Sequence, residues 1–223
     1  MTDRDADKRL AAIAAVQEIR DDMLVGLGTG STAAHAIAAL AARRLRIETV
    51  ATSQASAALA ESLGLKVLDF AGVSRVDIGI DGVDAIDARL RAVKGAGGAM
   101  LREKVVADAA DRMIVIADGS KRAERLGGVA LPVEILPFAR SAVIARLAHL
   151  FERVVERPGY RTDNGNIVVD GHGWDDGGLE ALVAGLSTLP GVVGHGLFLH
   201  EIDTAYIADN GVVTRLERGA KPR

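Results

Sequence analysis

The stretch MLVGLGTGSTAAHAIAALAAR, Met23–Arg43, decides the fold. A short apolar run, Leu24–Leu27, enters a loop of glycine, threonine and serine, and the loop opens onto an alanine-rich helical segment, Ser31–Arg43. A strand that feeds a helix in this way is the opening unit of an α/β sheet. Glycines let a backbone approach a ligand closely, and free N–H groups at a helix N-terminus favour an anion. The hydroxyls of Thr29, Ser31 and Thr32 add donors, so the loop suits a phosphate monoester. The dinucleotide fingerprint G-x-G-x-x-G fails, because its third glycine falls on Ser31. No lysine follows as in a triphosphate-binding loop. The competing reading is a tight turn with a serine cap on the helix.

Outward from this unit, short apolar runs alternate with helical patterns. Strands are expected at Leu24–Leu27, Ile47–Ala51, Lys66–Leu68, Val76–Ile80 and Met113–Ala117. Helices are expected over 8–19, Ser31–Arg43, Gln54–Leu63 and Ala99–Ala110. Strands of four to six residues without polar alternation mark a parallel sheet covered on both faces. The order predicts an α/β fold with an open, doubly wound, Rossmann-like parallel sheet. The rhythm changes after Gly127-Gly128. A Pro-bracketed strand at 131–137, a helix at 139–150, strands at 152–156 and 166–170, a helix at 179–186 and a strand at 192–199 form a βαββαβ series. That series predicts a smaller ferredoxin-like α+β domain. A hairpin, 205–208 and 212–215, is expected to return to the main sheet. The expected domains are therefore residues 1–127 with 205–223, and residues 128–204.

Composition narrows the class. The chain has 223 residues, 49% hydrophobic and 26% charged, with a net charge of −3, which is ordinary for a folded globular protein. No basic stripe runs along it, so nucleic acid is not an expected partner. Apolar stretches such as 10–16 and 36–42 are far shorter than the ~20 residues of a membrane span. The N-terminal MTDRDADK has no apolar signal core. With no cysteine, a disulfide framework is excluded and a reducing, cytoplasmic location fits. The five histidines show no metal-binding spacing, and no metal or cofactor is expected.

Three strand ends carry chemistry. Val76–Ile80 runs into Asp81-Gly-Val-Asp84, where ligands of open α/β sheets lie. An Asx-turn and a helix cap are the alternative there, and Asp87 is read as only that. Next comes Lys94, a glycine-rich loop, and a helix whose first turns hold Arg102, Glu103 and Lys104. Met113–Ala117 ends in Asp118-Gly-Ser-Lys121. One such end is weak, but three make a convergent polar site the better reading.

Seven ordered motifs then resemble the ribose-5-phosphate isomerase A family: GLGTGSTA at 26–33, TSQAS at 52–56, DGVDAID at 81–87, KGAGGAMLREK at 94–104, ADGSK at 117–121, LPVEILPFAR at 131–140 and TDNGN at 162–166. The resemblance implies an aldose–ketose isomerase acting on a pentose 5-phosphate through an enediolate, and a homodimer or dimer of dimers. It implies Glu103 as general base, Lys94 beside the enediolate oxygen, and Asp81 and Asp84 on the sugar hydroxyls, with Asp81 opening the ring. Lys8, Gly28, Thr29, Gly30, Ser31 and Thr32 would hold the phosphate end, Lys121 would contact the substrate, and Gly95 and Gly97 would line the pocket. Ser53 and Gln54 would lie beside it. The chain departs from the family pattern at Val83, Ala85, Ala96, Gly98 and Leu101. These departures bear on loop packing and affinity, not on the reaction. Two other readings exist, a non-catalytic sugar-phosphate sensor and a dinucleotide-dependent oxidoreductase. Against the first stands the intact Glu103, Lys94, Asp81 and Asp84 set. Against the second stand the glycine spacing and Ala51-Thr52, where a ribose-binding acid is needed.

Overall fold

The computed structural model describes residues 4–219. Helix α1 (Arg4–Ala15) is followed by β1 (Leu24–Leu27), α2 (Ser31–Ala42), β2 (Glu48–Ala51), α3 (Gln54–Ser62) and β3 (Ile78–Gly82). Two short strands, β4 (Ala85–Ile86) and β5 (Ala92–Val93), precede α4 (Met100–Ala109) and β6 (Met113–Asp118). Then come β7 (Leu131–Ile135), α5 (Arg140–Leu147), β8 (Arg153–Glu156), β9 (Ile167–His172), α6 (Leu179–Thr188) and β10 (Val192–His195). The described chain closes with β11 (Leu197–Phe198), β12 (Thr204–Asp209) and β13 (Val212–Glu217).

The main sheet has the order β13-β12-β6-β3-β1-β2. Its strands β12 to β2 are parallel, and β13 closes one edge antiparallel. Every residue of β6 is buried, which is what a strand covered on both faces requires. On one face α1 and α2 pack Ala11, Ala15, Ile37 and Leu40 against Ile80, Ile114 and Ile116. The chain reverses direction across the sheet beside β1, and β6, β3 and β1 are neighbours. The ends of β1, β3 and β6 therefore open on one crevice.

The second sheet has the order β10-β7-β9-β8, antiparallel throughout, with α5 and α6 as its crossovers. This is the ferredoxin-like arrangement that the βαββαβ series predicts. A third sheet, β11-β5-β4, was not expected. The strand expected at 192–199 breaks at Gly196, whose N–H donates to Pro132 while its carbonyl accepts from the Lys94 N–H, 2.8 Å each. Beyond that break β11 leaves β7 and pairs with β5. The strand expected at 66–68 reduces to one parallel bridge, Val67 to Thr49, at the edge beside β2.

The β12–β13 hairpin returns to the main sheet as expected, and its turn is tied to α1. Buried Asp7 accepts from the N–H groups of Asn210 at 3.1 Å and Gly211 at 2.9 Å. No helix among the described residues is long and apolar enough to cross a membrane.

Candidate active site

A cleft of about 260 Å³ opens at the ends of β1, β3 and β6. Its deepest charged group is Lys94, the residue after β5. The Lys94 ammonium stands 2.9 Å from Asp81 Oδ2 and 3.2 Å from Glu103 Oε2, and donates to the Gly82 carbonyl. All three side chains are almost sealed from solvent: Asp81 is 1%, Lys94 2% and Glu103 4% exposed. Asp81 Oδ1 accepts from the N–H groups of Thr29 at 3.0 Å and Gly82 at 2.7 Å, which pins the phosphate loop to β3. Asp81 Oδ2 and Glu103 Oε2 accept no hydrogen bond within the described residues, although both lie at ion-pair distance from Lys94. Their orientation leaves lone pairs unspent.

Two carboxyl groups share one ammonium here, but burial is the first cause of their titration. Burial pushes the Glu103 carboxyl up to about 8, with help from the Asp81 charge and against the pull of Lys94. Burial also pushes Asp81 up, opposed by Lys94 and by the two N–H donors. Burial pulls the Lys94 ammonium down, but the charges of Asp81 and Glu103 more than reverse this and hold it above the ordinary lysine value.

Thr29, Gly30, Ser31, Thr32, Lys8 and Lys121 line the same cleft. The N-cap of α2 is Gly30, and no side chain among the described residues caps that end. The contrast with α3 is direct, since Ser53 caps α3 by accepting from the Ser56 N–H at 3.1 Å. The serine-cap reading of the loop is thereby set aside, and the first N–H groups of a 12-residue helix face the cleft unspent. Lys8 donates to Ser31 Oγ at 3.2 Å. Gly28 lies below the cleft floor, where a Cβ would come within 2.0 Å of Asp81 Oδ1.

Gly95, Ala96 and Gly97 form another wall with Asp84. Asp84 Oδ2 accepts from the Ala96 N–H at 2.8 Å. Asp81 is not among the cleft-lining residues and stands one layer back, behind Lys94. Ser53 lines a smaller adjoining cavity, of about 150 Å³, that shares Thr29 and Gly97 with the cleft. Gln54 lines neither; its backbone N–H donates to Asp163 Oδ2 at 2.7 Å. Asp87 is the structural turn expected of it, accepting from the N–H groups of Arg89 and Arg91. Asp118 caps its own turn.

Sequence reasoning missed the groups that hold the glycine loop from the second sheet. Arg157 donates to the carbonyls of Ala96 at 2.8 Å and Gly95 at 3.2 Å, and Tyr160 donates to that of Gly97 at 2.8 Å. The TDNGN turn is itself anchored on buried Glu134, whose Oε1 accepts from Thr162, Asn164 and Asn166. Arg102 reaches that turn at Asn164 and Asp163. One departure from the family pattern, at Gly98, bears on these contacts. Gly98 has φ +75°, and a Cβ on it would meet Tyr160 Oη at 2.2 Å. Ala85 is buried in β4, where an acid would lack water. Val83 packs with Ile86 and Phe198, and Leu101 packs against Gly194.

A larger cleft, about 660 Å³, lies elsewhere, lined by Arg89, Arg91, Arg122, Glu124 and Asp176 among others. It is the larger space but lacks buried, unpaired chemistry: Arg91 pairs with Asp87, and Asp176 with Arg125. Among the described residues no group of three or more His, Asp or Glu is placed to hold a metal ion. His195 is buried, and burial with the nearby Lys104 charge pulls it down to about 4.

Comparison with known proteins shows the family. The family model described as ribose 5-phosphate isomerase A (phosphoriboisomerase A) matches residues 48–211. That match starts beyond the phosphate loop, but full-length relatives cover the loop as well. The ribose-5-phosphate isomerase A of Sphingopyxis alaskensis is 48% identical over 96% of this chain and 97% of its own, and that of Bordetella avium is 46% identical over 95% and 97%. Among solved structures, ribose 5 phosphate isomerase A from Neisseria gonorrhoeae superposes with a TM-score of 0.95 at 34% identity, covering 99% of this chain and all of that one. A D-ribose-5-phosphate isomerase in complex with phospho-erythronic acid superposes at 0.92 and 31% identity, over 97% and 100% of the two chains. The chain belongs to the ribose 5-phosphate isomerase A family.

Proposed function

We propose that this cleft interconverts ribose 5-phosphate and ribulose 5-phosphate, with Glu103 as the proton carrier. The observation that carries the reading is the buried contact of Glu103 with Lys94, in one cleft with an uncapped helix N-terminus, Lys8 and Lys121. The phosphate sits on the first N–H groups of α2 and on Ser31 and Thr32, with the two lysines balancing its charge. This remote contact positions the sugar carbons.

On the open-chain aldose, Glu103 takes the proton from C2. The C–H electron pair becomes the C1=C2 double bond, and the carbonyl pair moves onto O1. The Lys94 ammonium stabilises the charge on oxygen, which removing a donor of this kind shows to be worth roughly 10²–10³-fold. The O2 proton passes to O1, and Glu103 returns its proton to C1, leaving a ketone at C2. A carboxyl group raised toward 8 is a stronger base than an ordinary glutamate, and base catalysis of this sort contributes roughly 10²–10⁴-fold. Asp84, in the cleft wall, is the group placed to exchange protons with the sugar hydroxyls and to open the ring. Asp81, one layer back, acts by holding Lys94 and the Thr29 N–H. The phospho-erythronic acid held by a relative is a phosphorylated sugar acid whose carboxylate resembles an enediolate, which supports the same reading.

The domain division, residues 1–127 with 205–223 and residues 128–204, is part of the proposal: the cleft-lining residues lie between Lys8 and Lys121, and Arg157 and Tyr160 of the second domain brace its glycine loop. Residues 1–3 and 220–223 of that division lie outside the described residues. A homodimer or dimer of dimers and a cytoplasmic location complete the proposal. The fully exposed Phe138, beside half-exposed Leu136, offers an apolar surface for a second copy. Formation of ketose from ribose 5-phosphate, followed by absorbance with EDTA present, tests the activity. No ketose from the folded wild-type chain, with or without added divalent metal, removes the reading.

A further inference from the structure

We propose that Arg157 and Tyr160 are positioning residues for the isomerisation, clamping the glycine loop from the second sheet so that the pocket wall is built before substrate arrives. The inference rests on the cleft being the isomerase site. Arg157 follows β8 and is held by a two-pronged pair with Asp170 on β9, Nε to Oδ2 and Nη2 to Oδ1, both 2.7 Å. With its plane so fixed, the guanidinium spends its remaining donors on two consecutive carbonyls, Gly95 and Ala96. A planar fork held on one side by a carboxylate is a rigid device, which a lysine would not reproduce.

The other side of the Ala96 residue faces the chemistry. Its N–H donates to Asp84, and the segment begins at Lys94, whose ammonium lies between Asp81 and Glu103. Arg157 therefore grips the carbonyl face of the loop while Asp84 takes the amide face. Tyr160 adds the Gly97 carbonyl, and its ring occupies the space that a Cβ on Gly98 would need. Arg157 also lies 6.0 Å from the Tyr160 ring centroid, so the two clamp residues brace each other. Without the clamp, a run containing Gly95, Gly97 and Gly98 has wide backbone freedom. Substrate binding would then have to order it, and that cost appears in affinity before it appears in the bound complex.

The test separates positioning from general stability. Tyr160→Phe keeps the ring over Gly98 and removes only the hydroxyl, and Arg157→Lys keeps the charge but loses the fork. Thermal unfolding close to wild type is expected for Tyr160→Phe. With ribose 5-phosphate, KM is expected to rise about threefold for Tyr160→Phe and about tenfold for Arg157→Lys, in line with a neutral and a charged hydrogen bond lost. kcat is expected to stay within about threefold of wild type, since bound substrate restores the wall. Arg157→Ala should exceed Arg157→Lys in KM; if it does not fold, the other two variants decide. Unchanged KM in both, or a fall in kcat alone that tracks the folded fraction, overturns the clamp. A wild-type chain without isomerase activity would instead remove the underlying function.

Discussion

Lys94 and Glu103 meet at 3.2 Å, nitrogen to oxygen, with both side chains buried. Asp81 lies 2.9 Å from the same ammonium, so one positive charge answers two carboxyl groups. Burial first, and then the Asp81 charge, raise Glu103 against the pull of Lys94, so the proposed proton carrier and the proposed charge-stabilising group titrate as one unit.

Replacing Glu103 by Gln keeps the shape of the site and deletes the carboxylate proposed as proton carrier. Turnover of ribose 5-phosphate is expected to fall at least about 10³-fold, within the range for lost acid–base catalysis. Binding of the substrate, read by calorimetry, is expected to stay within about threefold. Wild-type-like turnover would exclude Glu103 as the base.

The pH profile follows from the same contact. Glu103 acts as a base only when ionised, and it is pushed up to about 8 in the folded protein. kcat/KM is therefore expected to rise with pH through an inflection near 8 and to fall on the acid side. Asp81→Asn removes a negative charge that raises Glu103, so the inflection should move to lower pH, whatever happens to the maximal rate. A limb that moves upward, or does not move, contradicts the shared-ammonium picture.

At the phosphate loop, Thr32→Ala deletes one hydroxyl that faces the cleft. KM for ribose 5-phosphate should rise roughly ten- to a hundredfold, as expected for one hydrogen bond to a charged group. Inhibition by inorganic phosphate should weaken in parallel. If both constants match wild type, Thr32 does not touch the phosphate.

Gly28→Ala tests how closely the loop is packed on β3. The new Cβ would sit 2.0 Å from Asp81 Oδ1, in place of the oxygen that accepts the Thr29 N–H. Overpacking of this kind costs about 1–3 kcal/mol, read as a lower urea midpoint. Activity should fall more steeply than stability, because Asp81 must move away from Lys94. A variant as active and as stable as wild type would mean that the loop can shift freely.

Much of this was legible because it is local. The Gly/Thr/Ser loop between an apolar strand and an alanine-rich helix states its own role, and α2 begins at Ser31 as its sequence requires. The acids at the end of β3 and the βαββαβ rhythm of the second sheet could be read in the same way. The third sheet could not be, since two-residue strands such as β4 and β5 carry no periodicity. They pair with each other, and the third strand of their sheet, β11, comes from about a hundred residues later, beyond the break at Gly196. The Arg157 and Tyr160 contacts lie some sixty residues from the loop they hold. Asp81 shows the limit most clearly: its position at a strand end was readable, but whether it faces the cleft or stands behind Lys94 depends on packing.

The tie between Asp7 and the turn at Asn210-Gly211 links the helix that carries Lys8 to a hairpin about two hundred residues later. On the ribosome, the parts of the phosphate site are made early, yet the element that fixes the first of them emerges near the end of the described chain. A growing polypeptide would thus carry an open, unfinished pocket until the hairpin docks.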